Sequence, residues 1–407
     1  MRLAVILCAT ALVCRAQNFT QRGYFDTRAF IFPQTVSGDS GQVVSDNLLR
    51  YEAAWKPKPW LRLQAGLDGR FDSHRMAERE LRLDWRDRGI ERPALSARRF
   101  SATVHQRAWT LEVGKQFIRW GKADILNPTD RFAPRDFVGV VDNDFLGVTA
   151  ARLTWESGDN TVDAVWQAQF TPSRIPLLNQ RWVVVPEQAQ SFTLRDAGAR
   201  YPGGPQFGLR WNRLARGFEY SLSVFDGYNH LPLLDGDVVL TPAVRVDVRR
   251  AYAKIRTYGA DAAVPLRWFT VKGEAAYFTT TTSNADEYLM YVIQVERQHG
   301  EWTFVGGYAG EWVTERNVVA DFAPDRGLAR AFLGRASYAI DPRQDIAFET
   351  AVRQNGDGMW LKSEYTRLLT SHLSALVSFT LIRGEPTDFL GQYRRNSHFI
   401  LGLRYSF

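Results

Sequence analysis

From Phe19 onward the chain repeats with a period of two. Leu61, Leu63, Ala65, Leu67 and Phe71 alternate with Arg62, Gln64, Asp68, Arg70 and Asp72. Phe269, Val271, Ala275 and Tyr277 alternate with Thr270, Lys272 and Glu274, and Ile346, Phe348 and Val352 with Asp345, Glu349 and Arg353. Leu373, Ala375, Val377, Phe379 and Leu381 oppose Ser374, Ser378 and Thr380. At the end of the chain, Phe399, Leu401, Leu403, Tyr405 and Phe407 oppose His398, Gly402, Arg404 and Ser406. Such a period belongs to strands with one apolar and one polar face. It predicts eighteen of them: 19–32, 44–55, 59–72, 95–106, 108–118, 146–156, 161–171, 206–214, 217–228, 249–264, 267–280, 285–298, 301–314, 328–340, 343–354, 358–369, 372–384 and 396–407.

Alternation alone does not separate a soluble sandwich from a membrane barrel. Strand length and loop length do. Many segments exceed the five or six residues usual in globular sheets, and about 9–11 tilted residues cross a bilayer. Connections alternate between tight ones, such as 107, 215–216, 265–266 and 370–371, and longer ones, such as 73–94, 119–145, 172–205 and 229–248, although 281–284 and 355–357 on the longer side are short. Short turns at one end and long loops at the other mark a transmembrane barrel. In lipid the sheet must close, because no water is there to satisfy an open edge. The expected fold class is therefore all-β: an antiparallel transmembrane β-barrel of about 18 strands, with 16 the alternative count. An even count puts both termini on the periplasmic side. Trp60, Trp109, Trp155, Trp211, Trp268, Trp302 and Trp360 fall near strand ends and are expected in the interfacial aromatic belts.

Composition narrows the choice further. The chain has 407 residues with 13% aromatics, and no apolar run after the N-terminus is long enough for a spanning helix. Met1–Ala16 reads as a cleavable signal peptide, with Arg2, an apolar stretch Leu3–Val13 and a small-x-small site at Cys14-Arg15-Ala16. Residues 17–407 are then the barrel. Both cysteines lie in the signal, which excludes a disulfide scaffold and thiol chemistry in the mature chain. Loss of Arg2 and Arg15 lowers the formal charge from +7 to +5, with both signs interspersed. That balance carries no nucleic-acid signal.

The final heptapeptide Leu401-Gly402-Leu403-Arg404-Tyr405-Ser406-Phe407 resembles the C-terminal insertion signal of bacterial outer-membrane barrels, with Leu403, Tyr405 and Phe407 as its apolar positions. The resemblance implies the outer membrane as location, with its lipid and the barrel-insertion machinery as partners. Gly114-Lys115-Gln116-Phe117-Ile118-Arg119-Trp120-Gly121-Lys122-Ala123-Asp124, followed by Asn127-Pro128-Thr129-Asp130, resembles a stretch of porin-like families. These are loosely related to eighteen-stranded alginate exporters.

The polar faces give the candidate lumen: Arg62, Asp68, Arg70, Arg152, Arg210, Lys272, Glu274, Glu349, Arg353, Lys362, Glu364 and Arg404. They read either as walls that select solute or as a ring of salt bridges that partly closes the lumen. Lys272 with Glu274 and Lys362 with Glu364 are the expected wall pairs. Loop 119–145 is the candidate constriction. Asn127-Pro128 suits a helix start, and Pro134 stiffens the loop again. Its charges, Arg119, Lys122, Asp124, Asp130, Arg131, Arg135 and Asp136, either meet solute or pair with one another.

No catalytic, cofactor or metal site is expected. The six histidines lack metal-ligand spacing, no G-x-S-x-G elbow occurs, and Asp142-Asn143-Asp144 lacks the Gly turn and later Glu of a calcium loop. A plugged receptor is disfavoured, since the first strand begins almost at the cleavage site. The expected function is passive passage of small polar or anionic solutes. The alternatives are export of an acidic polysaccharide and an outer-membrane enzyme or surface-binding barrel. The solute, the direction of transport and the oligomeric state are left open by the sequence.

Overall fold

The computed structural model describes residues 18–178, 180–184, 193–240, 244–318 and 320–407. Met1–Gln17, which hold the expected signal peptide, lie outside the described residues. The chain forms an antiparallel barrel whose strands are β1 (Phe19–Ile31), β2 (Val43–Lys58), β3 (Leu61–Asp72), β4 (Leu95–Gln106), β5 (Trp109–Gln116) and β6 (Val148–Ser157). β7 (Asn160–Gln167), β8 (Gln206–Ala215), β9 (Phe218–Tyr228), β10 (Lys254–Pro265), β11 (Thr270–Thr280) and β12 (Glu287–His299) follow. β13 (Trp302–Glu315), β14 (Ala331–Asp341), β15 (Gln344–Arg353), β16 (Gly358–Leu368), β17 (Leu373–Gly384) and β18 (His398–Ser406) complete the wall. Every strand pairs with its sequence neighbour, and β18 pairs back onto β1 from Tyr24↔Ser406 to Ile31↔Phe399. No strand of the wall is left with an open edge, as the hydrocarbon core demands.

The period of two sets which way each side chain points. Leu401, Leu403 and Tyr405 are about half exposed on the outer surface. Arg404, between them, turns inward and bonds Asp26 of β1 at 2.6 Å. Arg152 with Asp163, Arg210 with Asp261, and Arg50 with Asp68 repeat this inward pairing on other strands. Trp60, Trp109, Trp268 and Trp302 are exposed beside the tight turns, where an amphipathic ring suits the interface. Trp360 does not join them. It shares the inward parity of Lys362 and Glu364 and is only 8% exposed, so its place is the lumen and not the belt.

Two strand limits differ from the alternation by more than three residues. Residues 249–251 belong to an outer three-stranded sheet of Thr193–Arg200, Arg245–Ala251 and Leu233–Val239, not to β10. The break falls at Tyr252 and Ala253, which are buried, with Tyr252 packed edge-on to Phe170. Phe170 itself has left β7, which ends at Gln167, to stack on His230. Apolar packing among the loops thus overrides the strand pattern at both places.

The outward position of Leu403 has a measurable consequence. Leu403→Arg is expected to cost about 2–4 kcal/mol if it lies near the bilayer midplane. Arg404→Leu is expected to cost less, because Arg28 still bonds Asp26 at 3.1 Å. Heat-modified gel mobility across a urea series reads both; equal losses would contradict the observed facing.

Candidate functional site

The segment 117–147, between β5 and β6, does not stand above the barrel. It enters the lumen and packs on the inner faces of β8 to β12. Glu274 of β11 is its anchor. Glu274 Oε2 accepts hydrogen bonds from Lys122 N (2.9 Å) and Ala123 N (3.0 Å). Oε1 accepts from Thr129 N (2.9 Å) and Thr129 Oγ1 (2.8 Å). The carboxylate is buried and fully engaged by one loop. Inside the loop, Asp130 Oδ1 accepts from Trp120 N and Gly121 N, and Arg119 bonds its other oxygen at 3.2 Å. Two carboxylates, one from the wall and one from the loop, thus take up main-chain donors that would otherwise be buried without partners.

Apolar packing completes the seat. Trp120 meets Phe132 edge-on, and Phe132 meets Phe225 of β9 in the same way. Gly208 of β8 makes room: an added Cβ would lie 2.5 Å from Phe132 and 2.6 Å from Trp120. The helix expected at Asn127-Pro128 is absent, and the segment is a turn. Asn127 Nδ2 donates back to the Ala123 carbonyl, and Thr129 N is held by Glu274. The groups that would open a helix are therefore used elsewhere.

The predicted loop charges separate into four groups. Arg119 and Asp130 pair within the loop. Lys122 and Asp124 pair with the wall: Lys122 with Asp261 (3.0 Å) and Glu219 (3.1 Å), Asp124 with Lys272 (3.0 Å). Lys272 also meets Glu296 and not the expected Glu274, whose oxygens the loop occupies. The Lys362–Glu364 pair is present at 3.4 Å. Arg131 and Arg135 have no carboxylate within 4.0 Å among the described residues. Their guanidinium groups lie over Phe278 (4.8 Å) and Phe145 (4.3 Å). Arg62 on the wall likewise has no ion-pair partner among the described residues, whereas Arg353 meets Asp388 at 2.9 Å.

Asp136 belongs to a different assembly. Arg174 Nη1 bonds it at 2.7 Å and Arg92 Nε at 3.0 Å. Arg174 Nη2 continues to Asp87, which also receives Lys115. Loops 73–94, 117–147 and 168–205 are thereby clasped through one buried ion network. Burial alone would raise the Asp136 carboxyl, but the two guanidinium groups overcome it and hold it well below the usual carboxylate range. His230 adds a further tie, lying between the carbonyls of Thr171 (Nδ1, 2.6 Å) and Arg131 (Nε2, 2.8 Å).

Two cavities lie in the lumen beside the loop and share Val141 and Asn143. One, of about 310 Å3, lies against β1 to β3 and holds six arginines, among them Arg28, Arg70 and Arg404, and four aspartates. The other, of about 190 Å3, holds Arg131 and Arg135 facing Asp130, Asp325 and Glu349, with Trp360 in its wall. Sequence reasoning missed Asp26, Arg28, Arg50, Arg92, Arg174 and Asp261. The first three sit on the same alternation that gave the other wall residues. Among the described residues no group of His, Cys, Asp and Glu is placed to hold a metal ion.

No family model matches this chain, and no curated protein matches it. Solved structures do. The chain is similar to OccAB3 of Acinetobacter baumannii, with TM-score 0.55 and 10% identity over 96% of this chain and 99% of that one. It is similar to a BenF-like porin from Pseudomonas fluorescens Pf-5, with TM-score 0.55 and 9% identity over 96% and 98%. It is also similar to the outer membrane protein opdK of Pseudomonas aeruginosa, with TM-score 0.52 and 9% identity over 95% and 99%. At such identities the likeness is one of fold: the closed barrel of outer-membrane porins. The alginate-exporter side of the sequence resemblance gains no support from these neighbours.

Two outcomes follow for the anchor and the clasp. Glu274→Ala orphans three buried N–H groups, each costing about 1–3 kcal/mol, and is expected to free the loop. Single-channel recording should then show larger and noisier conductance, while heat-modified mobility stays that of a folded barrel; unchanged conductance would contradict the anchor. For Asp136, whose folded value is depressed, the stabilisation is present above the unfolded value of about 3.9 and is lost only as pH falls through the lower folded value. Limited proteolysis of the outer loops should therefore be unchanged from pH 7 to 5 in the native chain. It should be faster in Asp136→Asn at pH 7.

Proposed function

We propose that this barrel is an outer-membrane channel for the passive passage of small polar solutes, with a preference for anions. The observation that carries this reading is the state of Arg131 and Arg135. They line a cavity at the narrowed part of the lumen, and no carboxylate neutralises them directly. Arg119, Lys122, Asp124, Asp130, Asp136 and Asp144 of the inserted loop each meet an oppositely charged partner. A cation held on an aromatic face in a low-dielectric passage projects its field into the solute path, where focusing raises the local anion concentration. The loop seated in the lumen leaves cavities of about 310 and 190 Å3 at its sides, and this narrowing supports passage of small solutes over export of a polymer strand. The fold shared with porins supports a channel rather than an enzyme.

Arg131→Gln with Arg135→Gln is expected to move the reversal potential toward cations in a planar bilayer under a salt gradient. The change should be greatest in dilute salt, since the Debye length falls from about 30 Å at 0.01 M to about 3 Å at 1 M. Lys122→Gln should shift selectivity less, because its charge is already spent on Asp261 and Glu219. An equal shift from both changes, or none from the arginine pair, would overturn the assignment.

A further inference from the structure

One group of charges points the wrong way for a membrane barrel. On β9, Phe225 faces the lumen, where it meets Phe132, so its neighbour Asp226 faces outward. Asp226 is joined there by Lys254 and by Arg256 Nη2 at 2.7 Å, both from β10. The Arg256 side chain is 56% exposed. Arg256 lies nine residues above Pro265 at the periplasmic end of its strand. At about 3.3 Å per residue and a tilt of about 40°, that is about 23 Å, close to the top of an apolar band about 25 Å tall. The cluster therefore stands at the height of the outer-leaflet headgroups. Two cations share one carboxylate, so the patch keeps a net positive charge.

Directly below it the outer wall is indented. Ala151 of β6 and Ala164 of β7 form the floor of a groove of about 450 Å3. Leu153, Trp166, Phe207 and Leu209 stand around them, and the groove's upper end is Asp226 itself. Phe207 pairs with Asp226 across β8 and β9, and Asp226 with Arg256 across β9 and β10, so the apolar groove and the cationic rim are one continuous surface.

We propose that this surface binds a phosphorylated lipid of the outer leaflet, with an acyl chain in the groove and a phosphate on Lys254 and Arg256. Charge complementarity selects the occupant: the patch is cationic only at headgroup height, and the groove beneath it is apolar. The carboxylate of Asp226 holds the two cations together and is displaced in part when phosphate arrives. The inference needs only a barrel in a membrane and is independent of whether the lumen conducts.

Native mass spectrometry of the full barrel in detergent, with purified diphosphorylated lipid A added as probe, tests it. The native chain should retain one lipid A through delipidation, while Lys254→Gln with Arg256→Gln should weaken retention at least tenfold. Arg256→Lys should restore most of it, and Ala164→Phe, which fills the groove floor, should weaken it without touching the rim. Heat-modified mobility shows that each variant is folded, and planar-bilayer conductance, expected unchanged, keeps this outcome separate from the channel reading. Equal retention in native and rim variants would overturn the proposal. So would equal retention of a zwitterionic phospholipid, or cross-linking of Phe207 to a second copy of the chain.

Discussion

Hydrocarbon offers no partner to a backbone amide, and the architecture follows from that single constraint. A sheet placed there must close. Closure by β1 and β18 in turn fixes the parity of every residue, since a slip by one would carry Arg404 into lipid and Leu403 into water. The outer face is thereby committed to apolar side chains, and charged residues of the wall are driven inward. Asp226, Lys254 and Arg256 are set against this rule and stand where it no longer applies, at headgroup height.

A lumen walled by charges would be an open pipe unless something filled it. Glu274 solves a problem that the inserted loop creates. Loop 117–147 has irregular backbone, and irregular backbone away from water needs acceptors for its amides. One carboxylate with four lone-pair sites meets four donors at 2.8–3.0 Å, which no neutral side chain can do alone. The aromatic contacts through Trp120, Phe132 and Phe225 supply burial, but the hydrogen bonds set the register. Lys272 is diverted by this arrangement to Asp124 and Glu296, so a wall residue helps hold the loop instead of pairing with its strand neighbour.

The barrel was legible because its period is local: two residues decide the face, and ten decide the span. The eighteen segments, the inward charges and the belt at Trp60, Trp109, Trp268 and Trp302 all come from short windows. Partner choice is not local. Nothing near Glu274 in sequence reveals that its acceptors are taken by residues about 145 to 152 positions away. A signal did exist. Tyr288-Leu289-Met290-Tyr291-Val292-Ile293 is apolar on both faces, and such a run means that both sides are covered. Met290 and Val292 are indeed buried in the cluster that also holds Leu126 of the loop. The broken alternation in β12 marked the side of the barrel on which the loop rests. Trp360 was misplaced for the converse reason: nearness to a strand end was read before parity.

Pairing decides which charges can act on a solute. Most wall charges are answered by a neighbour, as Arg152 is by Asp163 and Arg210 by Asp261, and such pairs largely cancel beyond their own length. The loop uses the same chemistry to spend Arg119, Lys122, Asp124 and Asp130 on holding itself in place. Arg131 and Arg135 are not needed for that task, and Phe278 and Phe145 hold their guanidinium groups without removing their charge. An aromatic face fixes a cation where a carboxylate would both fix and neutralise it. On the proposed reading, selectivity in this lumen is carried by Arg131 and Arg135, which are seated on rings without a carboxylate, and the paired charges around them serve as scaffold.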